Sequence, residues 1–329
     1  MEGGHTPFDD SIATQLAESL PSTITSFTFS SVGSSVTQHG IQTIFRGLAN
    51  LTNLKMLVLY HNSIDDEICL LLADVISNNN TLQRLTLDDY EISDEGVIAL
   101  PAALSINNTL KILSLSSNKI GNKGVAALAD ALSTNHCLEG LAIDGNRISN
   151  EGVIALSAAL RTNSTLKILS LTNNKVGDEG VKALADALST NQCLEVLGLR
   201  GNRISDEGAI SIAAVLRINN TLKKLTLDAN KIGDEGATAL AFSLTLNHSL
   251  KYLNFDHNSE ITEQTMQYIA SIMSNFILRM KSIDAEIKKH SLSRSLRHSM
   301  NLENIDEVFD LNPTDDVRNC YRHEFHFQF

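Results

Sequence analysis

TLKILSLSSNKIGNKGVAALADALSTN, from Thr109 to Asn135, returns almost unchanged as TLKILSLTNNKVGDEGVKALADALSTN, from Thr165 to Asn191. The pattern L-x-x-L-x-L within it starts every 28 residues, at Leu54, Leu82, Leu110, Leu138, Leu166, Leu194, Leu222 and Leu250. A degenerate copy, Ile24-x-x-Phe27-x-Phe29, precedes the first of these. A fixed period of this length predicts stacked supersecondary units along most of the chain.

Each unit contains two hydrophobic periodicities. The stretch LKILSL at 110–115 alternates as a short strand does, and GVAALADAL at 124–132 carries the apolar stripe of a helix. A single unit cannot bury its apolar face alone, whereas stacked neighbours can. The repeat therefore predicts strand, turn and helix in every unit, with one continuous core.

Three polar or small positions also recur, and we interpret all of them as structural. An asparagine between strand and helix is predicted to bond turn backbone inside the core. A residue at the helix start is predicted to cap its own helix, and a following glycine is predicted to permit the strand-to-helix turn. The asparagines are Asn62, Asn118, Asn146, Asn174, Asn202, Asn230 and Asn258; the capping residues are Asp94, Asn122, Asn150, Asp178, Asp206 and Asp234; the glycines are Gly96, Gly124, Gly152, Gly180, Gly208 and Gly236.

One unit, at 82–109, departs from the pattern. Tyr90 stands where the other units have asparagine, and Pro101 lies inside the predicted helix. A proline in a helix interior costs roughly 3 kcal/mol unless the helix bends or breaks. We therefore predict an interrupted helix here, which marks either a functional position or a decayed repeat.

The pattern L-x-x-L-x-L-x-x-N-x-I followed by G-x-x-x-L-A-x-x-L resembles the leucine-rich repeat, and within it the ribonuclease-inhibitor-like subfamily. The resemblance implies an α/β leucine-rich-repeat solenoid, or horseshoe, with parallel strands on the concave face and helices on the convex face. We expect three regions: a capping helix at 1–21, a solenoid of about nine units at 22–275, and a helical cap with a partly disordered tail at 276–329.

Composition limits the possible functions. The chain has 329 residues and a net charge of −12, which disfavours a nucleic-acid surface because phosphate binding needs clustered Lys and Arg. No signal peptide, transmembrane run, nucleotide-binding loop or catalytic motif is recognisable, and neither a cofactor nor a metal site is predicted. We expect a cytoplasmic protein, or one delivered into a host cell by a non-classical secretion route.

Asn-x-Ser/Thr triplets occur at six positions, namely Asn50, Asn79, Asn107, Asn163, Asn219 and Asn247. They could be glycosylation sites. We favour a structural role at the helix ends, because no signal peptide directs the chain to secretion.

The positions that the repeat leaves free are the candidate contact residues. Side chains between the strand leucines are mostly small and predict a flat floor, while larger groups collect at its two ends. We predict a partner-binding surface on the concave face and its rim, formed by Tyr60, His61, Asp88, Asp89, Tyr90, Asp144, Arg200, Asp228, Tyr252, Asp256 and His257. Tyrosine is a frequent interface anchor, and the acidic neighbours favour a partner with a basic patch.

These features predict a non-catalytic protein-interaction scaffold, such as a bacterial effector or a cytosolic adaptor. The alternative is a regulator of a small GTPase, because the array also resembles the GTPase-activating protein of Ran. Its catalytic residues have no one-to-one match in this sequence. The basic stretch 279–298 is expected to be a solvated helix face, or else a weak contact for a membrane or an acidic partner.

Overall fold

We describe the chain from a computed structural model, which covers residues 9–30, 36–49, 51–60, 66–89 and 91–272. The chain divides into two compact units, Met1–Phe276 and Ile277–Phe329. All described residues belong to the first unit. The tail predicted at 276–329 and its basic stretch 279–298 lie outside them.

In the part of the chain that the structure describes, nine strands form one parallel sheet in sequence order. They are β1 (Ser26–Ser30), β2 (Met56–Tyr60), β3 (Arg84–Asp88), β4 (Ile112–Ser114), β5 (Gly140–Ala142), β6 (Ile168–Ser170), β7 (Val196–Gly198), β8 (Lys224–Thr226) and β9 (Tyr252–Asn254). From β2 onward each residue pairs with the residue 28 positions later, as Leu113 does with Leu141. The register therefore equals the sequence period, and the predicted α/β solenoid of parallel strands is confirmed.

Helices return the chain from each strand to the next, and successive helices pack side by side. They are α1 (Asp10–Ser19), α2 (Gln38–Ala49), α3 (Asp66–Asn78), α4 (Asp94–Val97), α5 (Leu100–Ile106), α6 (Asn122–Thr134), α7 (Asn150–Leu160), α8 (Asp178–Leu188), α9 (Asp206–Leu216) and α10 (Asp234–Ser243). Residues 263–272 are also helical. The break between α4 and α5 puts Pro101 in the first turn of α5, which confirms the predicted interruption.

The core lies between the sheet and the helix layer. Leu113 and Leu115 of one unit are fully buried, as are the equivalents Leu141, Leu169, Leu197 and Leu225 of the following units. Because side chains alternate along a strand, the residues between these leucines point away from the helices. We call that side of the sheet the open face.

The asparagine ladder is confirmed as structural in the described units. Asn174 is buried; its Nδ2 donates to the carbonyls of Ile143, Leu171 and Thr172 at 3.0–3.2 Å, and its Oδ1 accepts from Ile148 N at 3.1 Å. Two of these partners belong to the preceding unit, so each asparagine joins neighbouring turns. Asn62, the first position of the ladder, lies outside the described residues.

A second asparagine ladder follows the helices and includes most of the Asn-x-Ser/Thr triplets. Asn219, for example, donates from Nδ2 to Leu188 O at 2.9 Å and accepts at Oδ1 from Leu222 N at 2.9 Å. Its equivalents Asn79, Asn107, Asn163 and Asn247 are buried in the same way. A glycan on Nδ2 would break these hydrogen bonds, which supports the structural interpretation.

The predicted capping residues do cap helices, but our assignment of each one to its own helix was wrong. Asp94 is the first residue of α4, yet its Oδ1 accepts from the backbone N of Gly121 at 2.6 Å and of Gly124 at 2.8 Å, both at the start of α6. Asp206 is bonded to Gly233 and Gly236 in the same way. Each acid thus satisfies free amides of the next unit's first turn.

The recurrent glycines also have a different role from the one predicted. Gly124 lies in the first turn of α6, and a Cβ there would stand 2.7 Å from Asp94 Oδ1. A Cβ at Gly208 would stand 2.6 Å from Asp178 Oδ1. Glycine is therefore needed so that the carboxylate of the preceding unit can reach the helix amides, rather than to form the turn.

Cys69, Cys137 and Cys193 form no disulfide bonds with one another. Within the described ranges, no helix has the length and apolar character needed to cross a membrane.

Candidate interaction surface

The open face is organised in rows that run across the strands, with one residue from each unit. Its floor consists of small side chains, one from each unit. Among them are Ser114, Ala142, Ser170 and Gly198, the last residues of β4, β5, β6 and β7. Two further rows follow the strands and contain most of the predicted contact residues. We call them the acidic row and the left-handed row.

The acidic row begins at Asp88, the last residue of β3, and continues with the residues two positions after the ends of β4 to β9. It reads Asp88, Ser116, Asp144, Thr172, Arg200, Asp228 and Asp256. Asp88 Oδ1 accepts from Ser114 Oγ at 2.7 Å and from Ser116 N at 2.9 Å. Asp144 Oδ1 accepts from Ser170 Oγ at 2.5 Å and from Thr172 N at 2.7 Å. These carboxylates therefore join one unit to the next across the face.

Burial shifts the proton affinity of two members of the acidic row. Desolvation raises the pKa of Asp88, although the hydrogen bonds from Ser114 and Ser116 oppose it. Burial raises the pKa of Asp144 to about 6, against the hydrogen bonds from Ser170 and Thr172, and the nearby charge of Asp88 adds to the rise. The charge of this row therefore depends on pH in the mildly acidic range.

Farther along the acidic row, a basic residue pairs with a buried carboxylate. Arg200 Nη1 lies 3.1 Å from Asp228 Oδ2, and the Asp228 side chain is only 3% exposed. The Arg200 side chain itself is 30% exposed. Asp256, in the last described unit, is exposed.

The left-handed row is the next position along the chain. Its members have φ between 54° and 65° and are Asp89, Ser117, Gly145, Asn173, Gly201, Ala229 and His257. The N–H groups of all members except His257 donate to carbonyls of the following unit; that of Asn173, for instance, donates to Arg200 O at 2.7 Å. This conformation turns the chain out of the strand, and it leaves the side chains of Asp89 and His257 exposed at opposite ends of the row.

The last two strands present a cluster that contains both charged and aromatic groups. Lys224 and Tyr252 are in register between β8 and β9, and Lys224 Nζ lies 4.9 Å from the centre of the Tyr252 ring. Asp256 and His257 follow in the same unit, and all four side chains are exposed. We call these four residues the β9 cluster.

Lys224 was not among the residues predicted from the sequence, and neither was a row of alternating charges before the strands. Glu139 lies between Lys111 and Lys167, at 2.6 and 2.8 Å, and Glu195 lies 2.8 Å from Lys223. The 28-residue alternation of Lys and Glu is the sequence signal that could have revealed this row. Exposed pairs of this kind contribute only about 0–1 kcal/mol each.

The predicted contact residues differ in how accessible they are. Asp89, Tyr252, Asp256 and His257 are exposed; Asp88, Asp144 and Arg200 are half-buried; Asp228 is buried. The backbone of Tyr60 pairs in register with Asp88, which brings the first two units of this rim together. His61 and Tyr90 lie outside the described residues.

The open face offers several kinds of chemical group. Carboxylates, hydroxyls, a guanidinium and an aromatic ring are arranged over a floor of small side chains. Among the residues that the structure describes, no group of three or more His, Cys, Asp or Glu side chains could hold a metal ion. Acidic side chains are the most frequent charged groups in the two rows.

The sequence matches the profile described as "Leucine Rich repeat" in six segments, 78–100, 107–129, 134–157, 162–185, 190–213 and 219–241. Each segment covers most of a unit, from the end of one helix to the next helix. No curated protein matches the chain.

Three solved structures are similar to parts of the chain. Leiomodin-1 actin-binding site 2 shares 19% identity over 51% of this chain and 96% of its own, with a TM-score of 0.39. A plant ice-binding protein shares 16% over 76% and 68%, with a TM-score of 0.47. The C-terminal domain of tropomodulin from Caenorhabditis elegans shares 18% over 47% and 93%, with a TM-score of 0.40. At these scores we take no functional argument from them.

Proposed function

Because this chain is a leucine-rich-repeat protein, we propose that it is a non-catalytic scaffold that binds a protein partner through the open face of its sheet. The observation that carries the proposal is that each unit contains two kinds of position, those that hold the fold together and those that are exposed and variable. Positions fixed by the repeat are buried and bonded to neighbouring units, whereas the exposed positions of the open face differ from one unit to the next. Stacked repeats characteristically provide such extended binding surfaces.

The β9 cluster is the proposed anchor, together with the rim at Tyr60, Asp88 and Asp89. Tyr252 offers an aromatic surface of which 40% remains exposed beside Lys224. Tyrosine and charged groups at the centre of an interface can each be worth about 2 kcal/mol or more, roughly a thirtyfold change in affinity. We propose a partner with a basic patch, because the chain has a net charge of −12.

The test compares two tyrosines of similar exposure on opposite sides of the fold. Tyr252 lies on the open face, whereas Tyr268 lies in the helix 263–272. Immobilised parent, Tyr252→Ala and Tyr268→Ala chains are exposed to the same cell lysate, and retained proteins are quantified by mass spectrometry. We expect a partner that parent and Tyr268→Ala retain equally and that Tyr252→Ala loses at least tenfold.

A second pair tests the charge. Asp256 on the open face and Asp186 on α8 are both exposed, so Asp256→Lys and Asp186→Lys alter net charge equally. We expect only Asp256→Lys to weaken binding, and added salt to weaken binding of the parent. If the two variants of each pair bind the partner equally well, the open face is excluded as the binding surface.

The proposed absence of catalysis has its own test. Purified chain is added to a panel of small GTPases loaded with GTP, and phosphate release is followed. No acceleration is expected; a stimulated rate would establish the regulatory alternative instead. Location in the cytoplasm or delivery into a host cell is a further part of the proposal, tested by fractionation of cells that express the tagged chain.

A further inference from the structure

The helix layer carries an exposed apolar patch on two neighbouring helices. Ile210 lies in α9 and Ile218 just after it, while Phe242 lies in α10 and Leu246 just after it; their exposed fractions are 42%, 63%, 57% and 48%. Ile218 and Leu246 are equivalent positions of successive units, and Phe242 lies one helical turn after the position equivalent to Ile210. In each pair the spacing of four or eight residues puts the side chains on one helix face. We call these four residues the α9–α10 patch.

The patch is uncharged and bounded. Ala214 and Thr238 fill the positions between its members, whereas the equivalent positions on α8 are Lys182 and Asp186. Another group of exposed apolar residues, Leu70, Ile98 and Ile106, is interrupted by the exposed Asp74. The α9–α10 patch is thus a group of exposed apolar side chains that no charged residue interrupts, and the helix at 263–272 adds the exposed Met266 and Tyr268.

Charges at the two ends of the patch are opposite in sign. Glu207 and Glu235 are exposed in the first turns of α9 and α10, and Arg217 is exposed directly after α9. Glu207, Ile210 and Arg217 are three and seven residues apart, so they share one helix face. A surface that is acidic at one end, apolar in the middle and basic at the other end complements itself when it is reversed.

We propose that the α9–α10 patch is a self-association surface, on which two copies of this chain pair with antiparallel helices about a two-fold axis. In that arrangement α9 of one copy crosses α9 of the other, and each Arg217 faces Glu207 of the second copy. A parallel arrangement would place Glu207 against Glu235, which repels. The end charges therefore select the antiparallel dimer over the parallel one.

The size of the patch sets the strength of the contact. From Ile210 to Ile218 a helix rises about 12 Å, and neighbouring helices lie about 10 Å apart. With a margin of about 5 Å of side chain on every side, each copy contributes roughly 400 Å². Two copies bury about 800 Å², below the range of stable complexes. The dimer is consequently weak, with a dissociation constant in the micromolar range or above. A lipid surface suits the patch less well, because its acidic residues repel anionic headgroups.

Sedimentation velocity of the full chain, between about 1 and 300 µM, tests the proposal. We expect concentration-dependent dimers in the parent and at least tenfold weaker association in Phe242→Glu. The control is Ile154→Glu, an exposed isoleucine on α7 outside the patch, which should stay within twofold of the parent. A parent that remains monomeric at 300 µM, or dimers that Phe242→Glu leaves intact, would overturn the proposal.

A charge exchange tests the antiparallel geometry separately. Arg217→Glu should weaken the dimer, and Arg217→Glu combined with Glu207→Arg should restore it, because the two positions exchange their charges. Failure of the double variant to recover would contradict the antiparallel arrangement. Flotation with phosphatidylcholine vesicles tests the alternative that the patch binds a lipid surface. If the parent chain is monomeric and floats with the vesicles while Phe242→Glu does not, the patch binds lipid and self-association is overturned.

Discussion

Gly124 donates its backbone N–H to the carboxylate of Asp94, 30 residues earlier in the chain, at 2.8 Å. The first turn of α6 is therefore capped from the preceding unit, and the same arrangement recurs between Asp206 and Gly236. A cap that comes from the neighbouring unit couples the formation of one helix to the position of the unit before it. This coupling contributes to cooperative folding of the array.

The first prediction concerns this cap. Asp94→Ala removes an acceptor for two amides, so we expect it to lower the free energy of unfolding by about 1–2 kcal/mol. Asp130→Ala, at an exposed position on α6, is the control and should change it by less than about 0.5 kcal/mol. Urea denaturation followed by circular dichroism measures both. Equal effects of the two substitutions would contradict the capping role.

Gly124→Ala tests the space requirement at the same contact. Alanine is favoured over glycine within a helix by about 1 kcal/mol, so a neutral site would gain stability. Here the new Cβ would stand 2.7 Å from Asp94 Oδ1, and we expect a loss instead. In the Asp94→Ala background the loss should shrink or reverse. A double-mutant cycle without coupling between the two positions would exclude the contact.

The second prediction compares two adjacent asparagines. Asn219 is buried and bonds the preceding unit, whereas Asn220 is exposed. Asn219→Ala leaves buried backbone groups such as Leu188 O without this donor, and we expect a cost of about 1–3 kcal/mol. Asn220→Ala should cost less than about 0.5 kcal/mol. The difference is read from urea denaturation; similar values for both variants would refute the second ladder.

The third prediction uses the left-handed row, where two units differ. Gly201 has φ of 65°, and a Cβ there would collide with the Asn173 side chain, so Gly201→Ala should destabilise by about 1–2 kcal/mol or more. Ala229 holds the same conformation at φ of 54°, so Ala229→Gly should be neutral or stabilise by up to about 1 kcal/mol. The melting temperature should fall for Gly201→Ala and should stay level or rise for Ala229→Gly. A rise for Gly201→Ala would contradict the assigned conformation.

The repeat allowed the fold to be predicted because its period fixes the strand register directly. Leu113 pairs with Leu141 at the 28-residue distance that the sequence shows. The roles of the polar positions were harder, because Asp94 and its equivalents recur in every unit. A capping residue therefore stands near both its own helix and the next one, and the sequence cannot tell which one it serves.

The candidate surface could be predicted only in part. Asp88, Asp144 and Asp228 were chosen as free positions of the repeat, but the structure gives each a bond or ion pair to a neighbouring unit. Whether a carboxylate is used internally depends on side-chain geometry between units, which periodicity does not encode. The pairing of Lys224 with Tyr252 is likewise a contact between neighbouring strands that no single unit reveals.

The last prediction concerns pH and Asp144. Its pKa is raised by burial from 3.8 to about 6, so the folded state binds its proton more tightly than the unfolded chain does. The stabilisation linked to this proton is complete below about pH 4 and is lost as the pH rises through about 6. Asp144→Asn removes the titration while keeping an oxygen that can accept from Ser170 and Thr172. Relative to the parent, this variant should therefore gain stability between pH 4.5 and pH 8, by about 1–2 kcal/mol. Urea denaturation at both pH values measures the change, with Asp130→Asn on the exposed side of α6 as the control. A stability difference between Asp144→Asn and the parent that stays constant with pH would show that Asp144 is ionised as readily in the folded chain as in the unfolded one.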